Sequence, residues 1–213
     1  MVGAMDRTRL EALSDGVFAV AITLLVLDLR VPQGAPAGGL GRALNDRWPN
    51  YAGYLVSFFL IGIIWVNHHG MLGHVRRVDR TLLFLNLLLL LFVAVIPFPT
   101  ALLAEYVRSG GFNSHLAAAV FSGVMFGMSV SFALNWLWIL RDDRLLAEDV
   151  DLAAARSTVP RFALFGLASY LALIGLSFVS APLTLALHFL LAVFYIFNQL
   201  AGARIAPERP VDP

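Results

Sequence analysis

The sequence predicts an all-α membrane protein with six transmembrane helices. Of the 213 residues, 59% are hydrophobic and 14% are charged, and the mean hydropathy is +0.79. A soluble domain carries about 25% charged residues, and a water-soluble fold of this size could not bury so much apolar surface. Since a spanning helix takes about 20 apolar residues, six of them use roughly 120 residues, which excludes a sizeable soluble catalytic domain.

Six apolar segments account for this composition. They are Leu10–Leu29, Tyr51–His68, Leu82–Leu103, Leu116–Leu140, Phe162–Val179 and Leu183–Ala203. Pro97 and Pro99 are expected to kink or end the third helix, because proline removes a backbone donor. The segments form one predicted helical domain, residues 1–205, and the proline-rich tail 206–213 is expected to be disordered and cytoplasmic.

The distribution of arginines predicts the orientation in the membrane. All fifteen basic residues are arginine, and with six spans both termini lie on the same side. Eleven arginines fall on that side and four on the other, namely Arg30, Arg42, Arg47 and Arg108. Cytoplasmic loops carry the excess of positive charge, so both termini are expected in the cytoplasm.

The remaining counts exclude other classes of function. Cysteine is absent, so the chain has no disulfide and no thiolate site. The net charge of +1 gives no global attraction to nucleic acid. His68, His69 and His74 share no clear ligand spacing with a carboxylate, so no metal site and no cofactor are expected. No catalytic triad, phosphate loop or carboxylate pair stands out, and the sequence therefore does not predict an enzyme.

The first helix carries carboxylates close to the hydrocarbon. Its charge-free stretch, Gly16–Leu27, spans about 18 Å at 1.5 Å per residue, well short of a ~30 Å hydrocarbon core. Asp15 and Asp28 must therefore lie at the edges of the core or inside it, where a carboxylate costs a few kcal/mol unless it faces protein or water. For both, a plain flanking charge in the headgroup region remains an open interpretation.

A buried polar network is the other interpretation of Asp15. The second segment ends in Trp65-Val-Asn-His-His69, and the six-span topology places this end on the same side of the membrane as Asp15. Asn67 and His68 can donate hydrogen bonds to Asp15 and Ser14. We therefore predict that these side chains form a polar network inside the bundle.

Helical periodicity divides the first helix into two faces. At 100° per residue, one stripe consists of Leu13, Gly16, Val20, Thr23 and Leu27. The opposite side carries Asp15, Phe18, Ile22 and Leu25. An apolar stripe of this kind is typical of helix packing as well as of a pore, so periodicity alone leaves its role open.

The start of this helix resembles a known family. Arg9-Leu-Glu-Ala-Leu-Ser-Asp15 is similar to the Arg-x-x-x-Phe-Ser-Asp signature that opens the first helix of the transmembrane protein 175 potassium channels, with Leu13 in place of Phe. The continuation through Asp28 and the Trp65–His69 segment also resemble the bacterial members. Six spans in this length match the bacterial single-repeat layout, whereas animal members carry two repeats.

The resemblance implies a potassium-permeable channel built as a homotetramer. The family lacks the Thr-Val-Gly-Tyr-Gly filter, as this sequence does, and its pore is lined by the first helix of each repeat. The pore-facing positions match Val20, Thr23 and Leu27, which form a hydrophobic constriction with a hydroxyl level. Asp28 lies near the outer mouth. The expected partners are further copies of the chain, membrane lipid and potassium ions.

The resemblance also implies a structural role for the polar residues and a location. Five residues are expected to hold the first helix in position without touching the ion: Arg9, Ser14, Asp15, Asn67 and His68. The expected location is the bacterial inner membrane, as a multi-pass protein. Two alternatives stay open, a proton-coupled secondary transporter that uses Asp15 and His68 as a titrating pair, and a structural subunit that does not conduct.

Overall fold

The protein folds as a bundle of α-helices. The computed structural model describes residues 7–34, 36–141, 144–147 and 164–202. The long helices are α1 (Arg7–Leu24), α3 (Trp48–Gly73), α4 (Arg80–Val95), α5 (Pro97–Tyr106), α6 (Gly111–Arg141), α7 (Phe165–Ser177) and α8 (Ala181–Gly202). A 3-10 turn, Leu25–Asp28, extends α1, and the short helix α2 (Leu40–Asn45) lies in the linker that follows.

Among the described residues, four helical stretches are long and apolar enough to cross a membrane. They are Arg7–Asp28, Trp48–Gly73, Arg80–Tyr106 and Gly111–Arg141. The predicted fifth and sixth segments coincide with shorter apolar helices, α7 and the part of α8 up to Ile196. The helical fold class is therefore confirmed, with four candidate membrane spans, while the count of six spans stays a prediction. The start of the fifth segment and the predicted tail 206–213 lie outside the described residues.

The third span is interrupted at Ile96, where α4 passes into α5. Pro97 begins α5 and cannot donate a backbone hydrogen bond, which accounts for the break, as predicted by the alternative that the prolines end the helix. Thr100 Oγ1 donates to the Ile96 carbonyl oxygen at 2.8 Å and lies 2.7 Å from Ser57 Oγ on α3. These buried hydroxyls satisfy each other and link the break to α3, as polar groups inside a membrane-spanning bundle require.

The helices pack around two apolar clusters, a large one at the centre of the bundle and a smaller one at the end where α1 begins. α1 packs against α3 and α4, both α4 and α5 pack against α6, and α8 closes the bundle against α3, α6 and α7. Phe18, Leu25, Leu60, Leu89 and Phe121 are among the large side chains buried at the centre. Gly127 on α6 lies against the Phe92 ring so closely that a Cβ atom there would overlap it.

A small backbone bridge ties two connections together at the end of the bundle where α1 begins. The α3–α4 connection pairs with the segment after α6 through an antiparallel bridge between Val75 and Leu146. The Arg76 amide donates to the Leu145 carbonyl oxygen at 2.7 Å, and the Ala147 amide donates to the His74 carbonyl oxygen at 3.0 Å. We call this the basic end, because it carries six arginines besides Arg7: Arg9, Arg76, Arg77, Arg80, Arg141 and Arg144.

Candidate functional site

α1 buries one face and leaves the other exposed among the described residues. Its buried residues recur every three or four positions, the spacing of one helical face: Leu10, Ser14, Phe18, Ala21 and, in the 3-10 turn, Leu25. All five residues of the predicted stripe are exposed in the single chain, with Val20 at 56% and Leu27 at 68%. The stripe is thus free to meet lipid, water or another copy of the chain.

The stripe ends in polar groups that differ in their bonding. Thr23 Oγ1 donates to the Val20 carbonyl oxygen at 2.9 Å, so its proton is used and its lone pairs remain free to accept. Asp28 closes the 3-10 turn and is partly buried. The Asp28 backbone carbonyl oxygen lies 3.5 Å from Asn50 Nδ2. The exposed face of α1 therefore offers acceptor oxygens along an otherwise apolar surface.

The buried face of α1 is held by a chain of three polar side chains. Ser14 Oγ donates to the Leu10 carbonyl oxygen at 2.8 Å and accepts from Asn86 Nδ2 on α4 at 3.1 Å. Asn86 Oδ1 lies 2.7 Å from His68 Nε2 on α3. Since a carboxamide oxygen only accepts, His68 Nε2 carries the proton in this arrangement. The Phe18 ring packs on the His68 ring, with 5.4 Å between their centroids.

Asp15 lies outside this buried network, which differs from the prediction. Its carboxylate is exposed, and Oδ1 accepts from Trp65 Nε1 at 2.8 Å. The physical reason is the 100° step from Ser14 to Asp15, which turns the carboxylate away from the contact with α4. The other two predicted members are placed differently again, because Arg9 is exposed and Asn67 is partly buried.

Two residues that hold α1 in place were missed by the sequence-based prediction of this site. Asn86 is the centre of the buried network, and its signal was a lone amide within an unbroken run of apolar residues on α4. Arg7 pairs with Glu11 at 2.8 Å through the i,i+4 spacing of a helix. It also donates from Nη1 to the Gly73 and Val75 carbonyl oxygens, at 3.2 and 3.3 Å, and so caps the end of α3.

The described residues contain no group of three or more His, Asp or Glu side chains that could hold a metal ion. The exposed face of α1 is mostly apolar, and the hydrogen bonds that link Ser14, Asn86 and His68 hold the helix in place.

Comparison with known proteins finds a matching family model and similar relatives. The family model described as Endosomal/lysosomal potassium channel TMEM175 matches residues 9–97, which include α1, α3 and α4. A protein named as a potassium channel in Streptomyces collinus is 56% identical over 192 residues, which are 90% of this chain and 92% of that protein. Another in Chamaesiphon minutus is 40% identical over 195 residues, which are 91% of this chain and 95% of that protein.

A solved structure agrees with these relatives. The crystal structure of a lysosomal potassium-selective channel TMEM175 homolog from Chamaesiphon minutus superposes with a TM-score of 0.80 at 36% identity, covering 90% of this chain and 97% of that one. The relatives are named as ion channels, which are not enzymes and need no cofactor. The chain therefore belongs to the TMEM175 potassium channel family.

Proposed function

We propose that the chain forms a potassium-permeable cation channel whose pore is lined by α1 from four copies around a common axis. The observation that carries this proposal is the exposed stripe of α1 with Val20, Thr23 and Leu27. Facing an axis shared by four copies, Val20 and Leu27 meet their counterparts across the pore, and Thr23 turns its acceptor oxygen towards the path of the ion. At the end of this face, Asp28 meets water at the pore mouth, where a carboxylate costs less than in hydrocarbon.

The length of the first helix supports a spanning role. Eighteen α-helical and four 3-10 residues rise about 35 Å, which crosses a ~30 Å hydrocarbon core. Asp15 and Asp28 are separated by about 21 Å along this axis. In the proposed pore, Asp28 at the mouth raises the local concentration of cations next to the constriction.

Conduction through this stripe follows from its alternating chemistry. Rings of Val20 and Leu27 narrow the path, and narrow apolar rings gate by dewetting. Between them, Thr23 presents free lone pairs, because its proton is held by the Val20 carbonyl oxygen. A potassium ion that loses part of its hydration at the constriction regains oxygen ligands there. Ser14, Asn86 and His68 hold α1 against α3 and α4, so that the ring stays in register.

Single-channel current tests the assignment of the pore face. Leu27→Ala in a ring of four widens the constriction, so conductance should rise and discrimination between potassium and sodium should fall. Leu91→Ala, at a 58% exposed position on α4, is the matched control and should conduct like the parent. The measurement is reversal potential and unitary current in planar bilayers with potassium and sodium. Unchanged conductance and selectivity in Leu27→Ala would contradict the assignment of the pore face. A parent protein that conducts no current would contradict the channel itself.

The proposed topology places the chain in the bacterial inner membrane with α7 and α8 as the fifth and sixth spans. Because the chain has no cysteine, single substitutions can be labelled without background. Arg42→Cys, in the linker after α1, should react with an impermeant maleimide on intact cells. Arg77→Cys, at the basic end, should react only after lysis. The reverse pattern would overturn the cytoplasmic placement of the basic end.

The proton-coupled transporter lacks a supporting contact. In the described part of the chain, the Asp15 carboxylate bonds to Trp65, whereas His68 Nε2 bonds to Asn86. The two groups thus belong to separate hydrogen-bonded pairs, and the channel is the function that the geometry of α1 supports best.

A further inference from the structure

Two arginines at the basic end stack on aromatic rings. Arg80, the first residue of α4, places its Cζ atom 5.7 Å from the centroid of the Phe84 ring. Arg141, the last residue of α6, places its Cζ atom 5.7 Å from the centroid of the Trp138 ring. Both arginines are exposed. A guanidinium stacked on a ring keeps its planar edge of N–H donors free for a carboxylate or phosphate.

A direct contact brings the two helix ends together. Trp138 Nε1 donates to the carboxylate of Asp79, with 3.1 Å to Oδ2, and Asp79 immediately precedes Arg80. Asp79 Oδ1 also accepts from the Leu82 amide at 2.7 Å and so caps α4. The Asp79 carboxylate is therefore occupied by donors from its own helix and from Trp138. The carboxylate keeps its negative charge. Counted with it, the described groups Arg80, Arg141 and the positive end of the α4 dipole leave a net positive charge at this place.

The surface below these arginines is apolar over the depth of one leaflet. The exposed side chains on α4 recur at helical spacing and belong to Phe84, Leu87, Leu88 and Leu91. On the neighbouring helix α6 they belong to Leu134 and Leu137. The rise from Arg80 to Leu91 is about 16 Å, which is close to half of a ~30 Å hydrocarbon core. The surface therefore has a cationic rim above a strip of apolar side chains.

We propose that this surface binds one anionic phospholipid, with its phosphate between Arg80 and Arg141 and its acyl chains along the exposed faces of α4 and α6. Charge complementarity favours this occupant, because the guanidinium edges match a phosphate and the strip below matches acyl chains. A second copy of the chain is a poorer fit, since it would bury two cations. Asp142 and Asp143, which follow Arg141, lie outside the described residues.

Lipid titration of the purified full chain tests the site. Native mass spectrometry in detergent would count dioleoylphosphatidylglycerol or dioleoylphosphatidylcholine retained per chain. The phosphatidylglycerol affinity should fall about fivefold for each arginine removed, in Arg80→Gln, Arg141→Gln and the double variant. The matched control is Arg30→Gln with Arg42→Gln, two exposed arginines away from the basic end. It removes the same charge and should bind like the parent.

Each outcome decides the proposal. A loss of affinity restricted to the Arg80 and Arg141 variants, and to phosphatidylglycerol, supports the site. Equal binding of phosphatidylcholine by the parent would overturn it, as would parent-like affinity in the double variant or an equal loss in the control. Should the double variant fail to elute like the parent, the two single variants decide by the same fivefold criterion. The readout does not depend on conduction, so the site and the channel can fail separately.

Discussion

The first and last parts of the bundle differ in whether their buried polar side chains have hydrogen-bond partners. Between α1 and α5, Ser14, Asn86 and His68 form one connected chain, and Ser57 pairs with Thr100. Within the described residues, the buried side-chain atoms that lack a partner lie only in α6 and α8, and they are Ser122 Oγ, Asn135 Oδ1 and His188 Nε2. Connected hydrogen bonds thus position α1. In α6, directional bonds such as that from Asn135 Nδ2 to the Leu85 carbonyl oxygen, at 2.9 Å, occur beside unsatisfied polar atoms and close packing.

Two buried histidines make this difference concrete. His68 Nε2 donates to another helix, so its ring is a link between α3 and α4. His188 Nδ1 donates to the Thr184 carbonyl oxygen of its own helix at 2.8 Å, and its ring packs against Phe121 and Tyr170 with centroids 4.9 and 5.9 Å away. His188 therefore acts in packing as an aromatic ring. Lipid is as apolar as the helix surfaces, so the hydrophobic effect does not drive helices together in a membrane. Interhelical hydrogen bonds and close packing both contribute instead.

The largest effect is expected at the centre of the polar chain. Asn86→Leu keeps the volume but leaves the buried His68 Nε2 without an acceptor, at a cost of about 3 kcal/mol, the upper end for an unsatisfied buried group. The fraction folded in an SDS titration, in one detergent, measures the loss. Leu87→Ala, at the neighbouring exposed position, is the control and should change stability little. Parent-like stability of Asn86→Leu would remove the contrast between the two regions.

An intermediate effect is expected where packing dominates. Gly127→Ala adds a methyl group against the Phe92 ring and forces α4 and α6 apart, which costs about 1–3 kcal/mol for an overpacked site. Gly123→Ala is the matched control one turn earlier, because nothing lies within 4 Å of its Cβ position. The same SDS titration compares the two. Equal stability of both alanine variants would contradict the close approach at Gly127.

The smallest effect is expected at the second histidine. His188→Phe removes an unpaired nitrogen and retains an aromatic ring among aromatic neighbours, so stability should stay within about 1 kcal/mol of the parent or rise. His68→Phe is the matched comparison and should cost about 1–3 kcal/mol, because Asn86 then loses its donor. Thermal unfolding of the two variants side by side provides the measurement. A larger loss at position 188 than at 68 would reverse the comparison.

The sequence predicted features that depend on one helix at a time. Periodicity correctly separated the exposed Val20, Thr23 and Leu27 from the buried Phe18 and Leu25, because a face follows from residue spacing alone. The prolines likewise predicted the break between α4 and α5 at Ile96. The short helix α2 in an apparently irregular linker was not predicted, since propensity is weak over six residues.

Contacts between helices were harder to predict. Asn86 lies 72 positions from Ser14, and nothing in either segment sets the register between α1 and α4. Asp15 lies beside the buried chain of Ser14, Asn86 and His68 and outside it, because a one-residue step decides whether a side chain meets α4 or turns outward. The pore role of the stripe and the span count stay predictions, since both depend on partners beyond one chain.

The 3-10 turn at the end of α1 points Leu27 in a different direction from the one that a continuous α-helix would give it. Each residue in such a turn advances by about 120°, against 100° in an α-helix, so Leu27 stands about 60° further round than a straight continuation would place it. The turn is also stretched by about 0.5 Å per residue. Rewinding Leu25–Asp28 into an α-helical turn would swing Leu27 back by this angle and shorten the segment by about 2 Å. In the proposed ring of four copies, the four rotations together would change the width of the pore at Leu27.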